Sequence, residues 1–205
     1  PALSNVLYSE DILFPIADFY LKKERWNEAI EVYEEMETIG ALQGRGAEYY
    51  QKLGYALQKN KKYAEAIDAY LKADTLKPDN IWNNRHLAIC YRLNRNYQAA
   101  LSYYKKVEEA TPEDTNVIFH IGSCLAELGQ YEEAANYFFK LDFIESNCIK
   151  AWRGIGWCSF ISRKYEQAMK YYEKIIEQKP LAIDYMNAGH VAWTMGDIQK
   201  AAALY

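Results

Sequence analysis

Two neighbouring segments of the chain, residues 47–80 and 81–114, carry the same pattern of side chains with a period of 34 residues. In this alignment Tyr70 falls on Tyr104, and the other large and small apolar positions match in the same way. Inside each segment the apolar residues recur at spacings of three and four, which is typical of amphipathic helices. A period of this length indicates a solenoid in which each repeat is one pair of helices.

The same pattern continues on both sides of these two segments. We predict repeats near residues 10–43, 47–80, 81–114, 115–148, 149–181 and, in truncated form, 182–205. Residues 1–9 are interpreted as a lead-in, the end of a preceding helix. The joint after the first repeat is rich in glycine and about three residues longer than the period requires, which predicts a local break there.

The second and third repeats place a large residue and a Leu-Gly or Leu-Ala pair in their first half, and Ala-x-x-x-Tyr in their second half. The second repeat shows this with Leu53-Gly54, Ala66 and Tyr70, followed by Pro78. This pattern resembles the tetratricopeptide repeat family. The resemblance covers residues 10–205 and implies one all-α domain, a right-handed superhelical solenoid of stacked antiparallel helix pairs.

Glycine recurs at one position of the first helices, at Gly54, Gly122, Gly156 and Gly189. Small residues on both partners let two helices approach closely. We therefore expect these glycines to face the alanines of the paired second helices, such as Ala66.

Composition narrows the class of protein. The net charge of −4 lacks the basic footprint of a nucleic-acid-binding domain. No apolar run approaches the roughly 20 residues needed to span a membrane.

Four cysteines are too sparse for a disulfide framework, so we interpret them as buried thiols in a reducing compartment, the cytoplasm. Because the chain begins with Pro1 and not with Met, we interpret it as a segment of a longer protein.

The resemblance implies a non-enzymatic scaffold for protein–protein interaction, whose first helices line a concave groove for a partner peptide or helix. Aromatic residues beside Arg, Asn and His are enriched at interaction hot spots. The family's groove positions, carried over residue by residue, fall on Tyr55, Trp82, Arg85, His86, Arg92, Asn116, Phe119, His120, Lys150, Arg153, Trp157, Phe160, Asn187, His190 and Trp193.

Two chemical roles are predicted inside this set. Arg85, Lys150 and Arg153 would hold acidic side chains or a C-terminal carboxylate of the partner. Trp157, Phe160 and Trp193 would be aromatic residues that helix stacking does not need. Some members of the family clamp the carboxylate end of chaperone tails, but here Ile89 and Gly154 stand at clamp positions that need Asn and Arg, so that mode is not expected.

The sequence contains only weak signals for metal binding or catalysis. His86-x-x-x-Cys90 and His120-x-x-x-Cys124 have a metal-like spacing, yet the cysteine position is normally a packing position. Gly154-x-Gly156 does not follow a strand and lacks the rest of a phosphate-binding motif. We therefore predict no metal, no cofactor and no enzymatic activity.

Two rival roles remain from the sequence. The last repeat could present an uncovered face, which favours a structural module that self-associates or docks onto the rest of a larger protein. Stacking on Trp82, Trp157 and Trp193 would suit single-stranded nucleic acid, but the acidic composition opposes that role.

Overall fold

The structure is a computed structural model and describes residues 10–40 and 44–205. These residues form twelve α-helices and no β-strand. The predicted lead-in over residues 1–9 and the centre of the glycine-rich joint, residues 41–43, lie outside this range. The helices are α1 (Glu10–Lys22), α2 (Trp26–Thr38), α3 (Gly46–Lys59), α4 (Tyr63–Leu76), α5 (Ile81–Leu93), α6 (Tyr97–Ala110), α7 (Thr115–Glu127), α8 (Tyr131–Ile144), α9 (Ile149–Ile161), α10 (Tyr165–Ile176), α11 (Ala182–Thr194) and α12 (Ile198–Leu204).

Odd-numbered helices are the first helices of the repeats, and even-numbered helices are the second helices. Consecutive helices pack in pairs, and some first helices of neighbouring repeats also touch, as α3 touches α5 and α7 touches α9. The predicted all-α fold of consecutive helix pairs is confirmed. The chain divides into two compact units, a first unit that ends at Tyr103 and a second unit from Tyr104 to Tyr205. The expectation of a single domain over residues 10–205 stays a prediction.

The core explains why the sequence repeats. One aromatic position of the second helices is buried in the first five repeats and is occupied by Tyr33, Tyr70, Tyr104, Phe138 and Tyr172. The alanine that precedes it by one helical turn is buried as well. Each large ring removes about 150–250 Å² of mostly apolar surface from water, so this position contributes strongly to stability.

The recurring glycines have different neighbours from those expected. A Cβ atom built on Gly54 would lie 2.8 Å from the ring of Tyr70, and one built on Gly156 would lie 3.0 Å from the ring of Tyr172. The closest neighbours of the missing side chain are therefore aromatic rings and not the alanines. Glycine makes room on the first helix for the large ring of the second helix.

Helix α1 departs from the expected pattern. Phe14 is buried and meets Tyr33 edge to face at 6.1 Å, whereas Ile16, two residues later, is exposed. Pro15 lies inside the helix. Since proline has no backbone N–H, it removes one hydrogen bond from the helix at this point.

The turn between first and second helix has the same backbone in all six described pairs. One residue in each turn has a positive φ of 55° to 83°; these residues are Glu24, Lys61, Arg95, Gly129, Arg163 and Gly196. The next N–H then reaches back to a carbonyl of the first helix, as from Lys62 to Leu57 at 2.9 Å. This geometry is the Schellman motif, which satisfies carbonyl groups at the helix end.

In the turns between repeats, prolines follow the end of one helix and N-cap residues precede the start of the next. Pro78 and Pro112 follow α4 and α6 and cannot continue a helix. The side chains of Asn80 and Asp114 then accept hydrogen bonds from the first N–H groups of α5 and α7. Such N-caps typically contribute about 1 kcal/mol each.

Candidate functional site

A groove of about 630 Å³ opens in the second unit between α7 and α9, and we call it the α7–α9 groove. Phe119 of α7 lines it, together with Lys150, Arg153 and Trp157 of α9. These are four of the predicted site residues, and the structure brings them together around one cavity. Phe138 of the second helix α8 also lines the groove.

Two glycines position the ring of Phe138. A Cβ atom built on Gly122 of α7 would lie 2.9 Å from this ring, and one built on Gly154 of α9 would lie 2.5 Å from it. The ring therefore occupies space that side chains on both first helices would otherwise fill. As a result, the first helices of the fourth and fifth repeats face each other across an aromatic surface.

Trp157 presents the most accessible ring of the groove. Its side chain is 44% exposed, although it lies in a helix whose neighbours at Ile155 and Gly156 are buried. Its ring centroid lies 6.3 Å from that of Phe160, which in turn packs against Tyr165 at 6.0 Å. The predicted surplus aromatic residue Phe160 is thus half-buried and supports Trp157.

Arg153 lines the groove but already holds a carboxylate of its own chain. Its guanidinium donates two hydrogen bonds to Asp184 of α11, at 2.7 and 2.8 Å. Burial by itself would raise the pKa of Asp184, but the bonds from Arg153 and from the Leu181 N–H outweigh it and hold that pKa below its ordinary value. Arg153 therefore stabilises the fold, and its charge is balanced inside the protein.

Lys150 also has partners nearby. Its ammonium group lies 3.2 Å from Glu145 and 5.9 Å from the centre of the Phe119 ring. Glu127 adds one negative charge to the lining. The α7–α9 groove therefore combines an aromatic surface with charges of both signs that largely compensate each other.

A second group of predicted residues meets in the first unit. Trp82 of α5 lies 4.0 Å from His86 and 6.2 Å from Tyr55 of α3, measured between ring centroids. Tyr70 also stacks on His86, with 5.7 Å between the ring centroids. We call these four rings the aromatic cluster; within it, Trp82 is 42% exposed.

His86 is held in its neutral form inside this cluster. Its Nδ1 atom lies 2.7 Å from the side-chain oxygen of Gln58, an acceptor only, so Nδ1 is the donor. Burial, and then the charges of Lys59 and Arg85, lower the pKa of His86 to about 4. His86 is therefore a packing residue with a satisfied hydrogen bond.

The remaining predicted residues are spread over other positions. His120 stacks on Tyr104 at 5.5 Å, and the ring of His190 meets Tyr205 edge to face at 5.7 Å. The others are Arg92 near the end of α5, Asn116 in the first turn of α7, and Asn187 and the largely exposed Trp193 on α11.

Some groove residues were missed from the sequence. Phe138 and Gly154 line the groove, and neither is among the predicted site residues. Both glycines of Gly154-x-Gly156 lie inside α9 and serve helix packing. One sequence signal could have located this groove: two successive first helices each carry a glycine, and the second helix between them in the sequence carries a large ring.

The described part of the chain holds no group of three or more His, Cys, Asp or Glu side chains that could bind a metal ion. The four cysteines are buried and form no disulfide, and burial raises the pKa of Cys158 to about 11. No helix within the described ranges has the length and apolar character that crossing a membrane requires.

A chain of consecutive helix pairs with a 34-residue period is a helical repeat protein. Sequence models of the tetratricopeptide repeat match residues 13–43, 47–80, 92–158 and 149–180, which together cover more than half of the chain. The chain belongs to the tetratricopeptide repeat family. No curated protein matches it in sequence.

Solved structures share this fold at low sequence identity. A tetratricopeptide repeat protein from Parabacteroides merdae is 20% identical with a TM-score of 0.77, and the alignment covers 95% of this chain and 77% of that one. A MamA protein is 24% identical with a TM-score of 0.72, covering 82% and 95%. YrrB, described as a tetratricopeptide repeat protein with an unusual peptide-binding site, is 21% identical with a TM-score of 0.68, covering 81% and 87%.

Proposed function

We propose that this protein is a non-enzymatic interaction module that binds a segment of a partner protein in the α7–α9 groove. The observation that carries the proposal is the exposed ring of Trp157 beside Phe119 and Phe138 in a cavity of about 630 Å³. Rigid aromatic rings in a concave surface supply contact area with little loss of conformational entropy. Family membership and the likeness to a peptide-binding relative support a peptide as the ligand.

The groove favours a bulky apolar side chain as the anchor of the partner. Arg153 is held by Asp184, and Lys150 has Glu145 close by, so neither needs a ligand carboxylate for charge balance. An apolar anchor would be covered by rings and would leave no unpaired charge behind. This replaces the expectation that Lys150 and Arg153 mainly recognise acidic groups.

The chemistry of the nucleophilic side chains supports a binding role over catalysis. Burial raises the pKa values of Cys90 and Cys158 to about 12 and about 11, so both thiols stay protonated near neutral pH. A protonated, buried thiol is a poor nucleophile. Buried cysteines that form no disulfide are also compatible with a reducing compartment such as the cytoplasm, which we include in the proposal.

The test compares two exposed aromatic residues of the second unit. Trp157 lies in the groove, whereas Phe143 on α8 is 89% exposed and does not line it. Partner proteins are captured from the native host with the wild-type chain, and the bound segment is mapped. Its affinity for the wild type, Trp157→Ala and Phe143→Ala is then measured by calorimetry.

Trp157→Ala should weaken binding about tenfold or more, as expected for an aromatic hot spot, while Phe143→Ala should bind like the wild type. Equal affinity of all three proteins for the mapped segment would refute the groove as the binding site. Circular dichroism melting of both variants separates loss of binding from loss of folding.

A second candidate is self-association through the last helix pair. Trp193, Ile198 and Tyr205 are exposed apolar side chains on or next to α11 and α12. Clusters of such residues mark interaction surfaces. Sedimentation velocity over a range of concentrations distinguishes the candidates. A dimer that dissociates when Trp193→Ser and Ile198→Ser are introduced favours self-association. A monomer at all concentrations favours binding of a partner protein.

A further inference from the structure

The two positive side chains that line the α7–α9 groove are both paired with carboxylates of the same chain. Lys150 lies 3.2 Å from Glu145, and Arg153 lies 2.7 Å from Asp184. Neither of these carboxylates lines the groove. The charges of the two lining cations are therefore balanced by residues outside the lining.

Glu127, the last residue of α7, carries a charge that is not balanced in this way. Among the described residues that line the groove, it is the only one with a carboxylate. Its side chain is exposed, and within the part of the chain that the structure describes no side chain forms an ion pair or a hydrogen bond with it. Glu127 follows Ser123 by four residues and Phe119 by eight, so all three lie on the face of α7 that lines the groove.

The nearest lining cation on this helix face is at the other end of α7. The ammonium group of Lys150 lies 5.9 Å from the centre of the Phe119 ring. Glu127 comes eight residues after Phe119, which corresponds to about 12 Å along the helix axis at about 1.5 Å per residue. The positive and the negative side chain therefore lie at different ends of this face.

The end of α7 adds to the negative potential at Glu127. Carbonyl groups at the C-terminal end of a helix carry partial negative charge, and α7 contains no Lys or Arg that would offset it. Among the first helices that the structure describes, α7 is the only one that ends in an acidic residue. The others end in Lys22, Lys59, Leu93, Ile161 and Thr194.

Aromatic rings line the same groove as this carboxylate. Tyr131, the first residue of α8, is half-buried, and Trp157 is 44% exposed. A cation that meets both a carboxylate and the face of an aromatic ring is attracted by each of them. The groove thus offers an apolar surface together with one carboxylate that lacks a counter-charge.

We propose that the partner segment bound in the α7–α9 groove carries a Lys or Arg beside its apolar anchor, and that this cation pairs with Glu127. The inference rests on the proposed function and deepens it, since it gives the ligand a charge as well as an apolar group. Charge complementarity selects this occupant. A basic segment neutralises Glu127, whereas an acidic segment would meet Glu127 and two cations that already have partners.

The test uses a fluorescein-labelled, C-terminally amidated peptide of alternating Arg and Ser with a central Leu-Trp pair. Two matched peptides carry Gln or Glu in place of every Arg. Fluorescence anisotropy gives the affinity of the full chain for each peptide. The Arg peptide should bind at least threefold more tightly than the Gln peptide, and this difference should shrink at high ionic strength, because salt screens exposed charges.

Variants of Glu127 locate the effect. Glu127→Gln should weaken binding of the Arg peptide about threefold, as expected for one exposed ion pair, and leave the Gln peptide unchanged. Glu127→Lys should weaken the Arg peptide further, about tenfold, and tighten binding of the Glu peptide. Both changes are at an exposed side chain, and melting followed by circular dichroism checks that the variants fold.

Glu109→Gln is the matched control. Glu109 is an exposed residue in the last turn of α6 and does not line the groove. Its replacement removes the same charge from the acidic protein, so a general attraction of the Arg peptide would weaken equally in both variants. The inference requires that Glu109→Gln bind the Arg peptide like the wild type.

Several outcomes would overturn the inference. These are no detectable binding of the Arg peptide, equal binding of the Arg and Gln peptides, tighter binding of the Glu peptide, or equal effects of Glu127→Gln and Glu109→Gln. Failure of the proposed function looks different. If Trp157→Ala weakens binding of all the peptides while Glu127→Gln weakens none, the groove stands and this inference is wrong. If Trp157→Ala weakens none of them, the groove itself is not the binding site.

Discussion

Arg153 of α9 and Asp184 of α11 form a bidentate ion pair that joins the first helices of two successive repeats. The Asp184 side chain is 1% exposed and that of Arg153 is 35% exposed. Asp184 also accepts a hydrogen bond of 2.8 Å from the Leu181 N–H at the start of α11. One carboxylate therefore both caps a helix and fixes a side chain that lines the neighbouring groove.

Removing Arg153 should destabilise the protein strongly, because the buried carboxylate of Asp184 would lose its counter-charge. We expect Arg153→Leu to lower the free energy of unfolding by about 3–5 kcal/mol. The double variant Arg153→Leu with Asp184→Asn should be more stable than Arg153→Leu alone, since the buried group is then neutral. Urea denaturation of the four proteins in this cycle gives the coupling, and simple additivity would contradict the role assigned to the pair.

Gly154 should tolerate no side chain while Phe138 remains in place. A Cβ atom there would lie 2.5 Å from the Phe138 ring, well inside van der Waals contact. We expect Gly154→Ala to destabilise the protein by about 1–3 kcal/mol, as overpacking usually does. Adding Phe138→Leu, which frees space, should make the combined loss smaller than the sum of the two single losses. Thermal melting followed by circular dichroism measures all three variants.

Two substitutions at turn residues with positive φ should change the free energy of unfolding in opposite directions. Gly129 has a φ of 77° and open space around its Cα, so Gly129→Ala would introduce only backbone strain, about 1–2 kcal/mol. Arg95 has a φ of 61°, and Arg95→Gly would relieve similar strain at the expense of a more flexible unfolded chain. We expect Arg95→Gly to be neutral or to stabilise by up to about 1 kcal/mol. If Arg95→Gly proved more destabilising than Gly129→Ala, strain would not govern this turn.

The periodic part of the structure could be predicted from the sequence. Helix pairs follow from buried positions such as Tyr70 and Phe138, which recur because every repeat solves the same packing problem. The turn geometry was harder to find, since Lys61, Arg95 and Arg163 occupy a left-handed position that glycine usually marks. Here the hydrogen bonds of the helix end hold the backbone in place despite the strain.

The site could be predicted only in outline. Four predicted residues line one groove, among them Trp157, because the first helices of neighbouring repeats touch. The partner of Arg153 was not foreseen: Asp184 lies 31 residues away and does not belong to the repeat pattern, so only side-chain positions in space reveal the pair.

His86 should make the stability of the protein depend on pH in the acidic range. Its pKa is about 4 in the folded protein and about 6.5 when the chain is unfolded. As the pH falls below about 6.5, His86 therefore becomes protonated in the unfolded chain, whereas in the folded chain it stays neutral until about pH 4. This contribution to stability is complete above the unfolded pKa and is lost as the pH decreases, with a total on the order of 3 kcal/mol.

The variant His86→Phe isolates this contribution, because other groups titrate in the same range. Phenylalanine keeps the ring stacked on Tyr70, whose hydroxyl still donates to Gln58 at 3.0 Å. Between about pH 7 and about pH 4.5, His86→Phe should lose less unfolding free energy than the wild type. Parallel slopes for the two proteins in urea titrations at each pH would show that His86 is not the group that titrates.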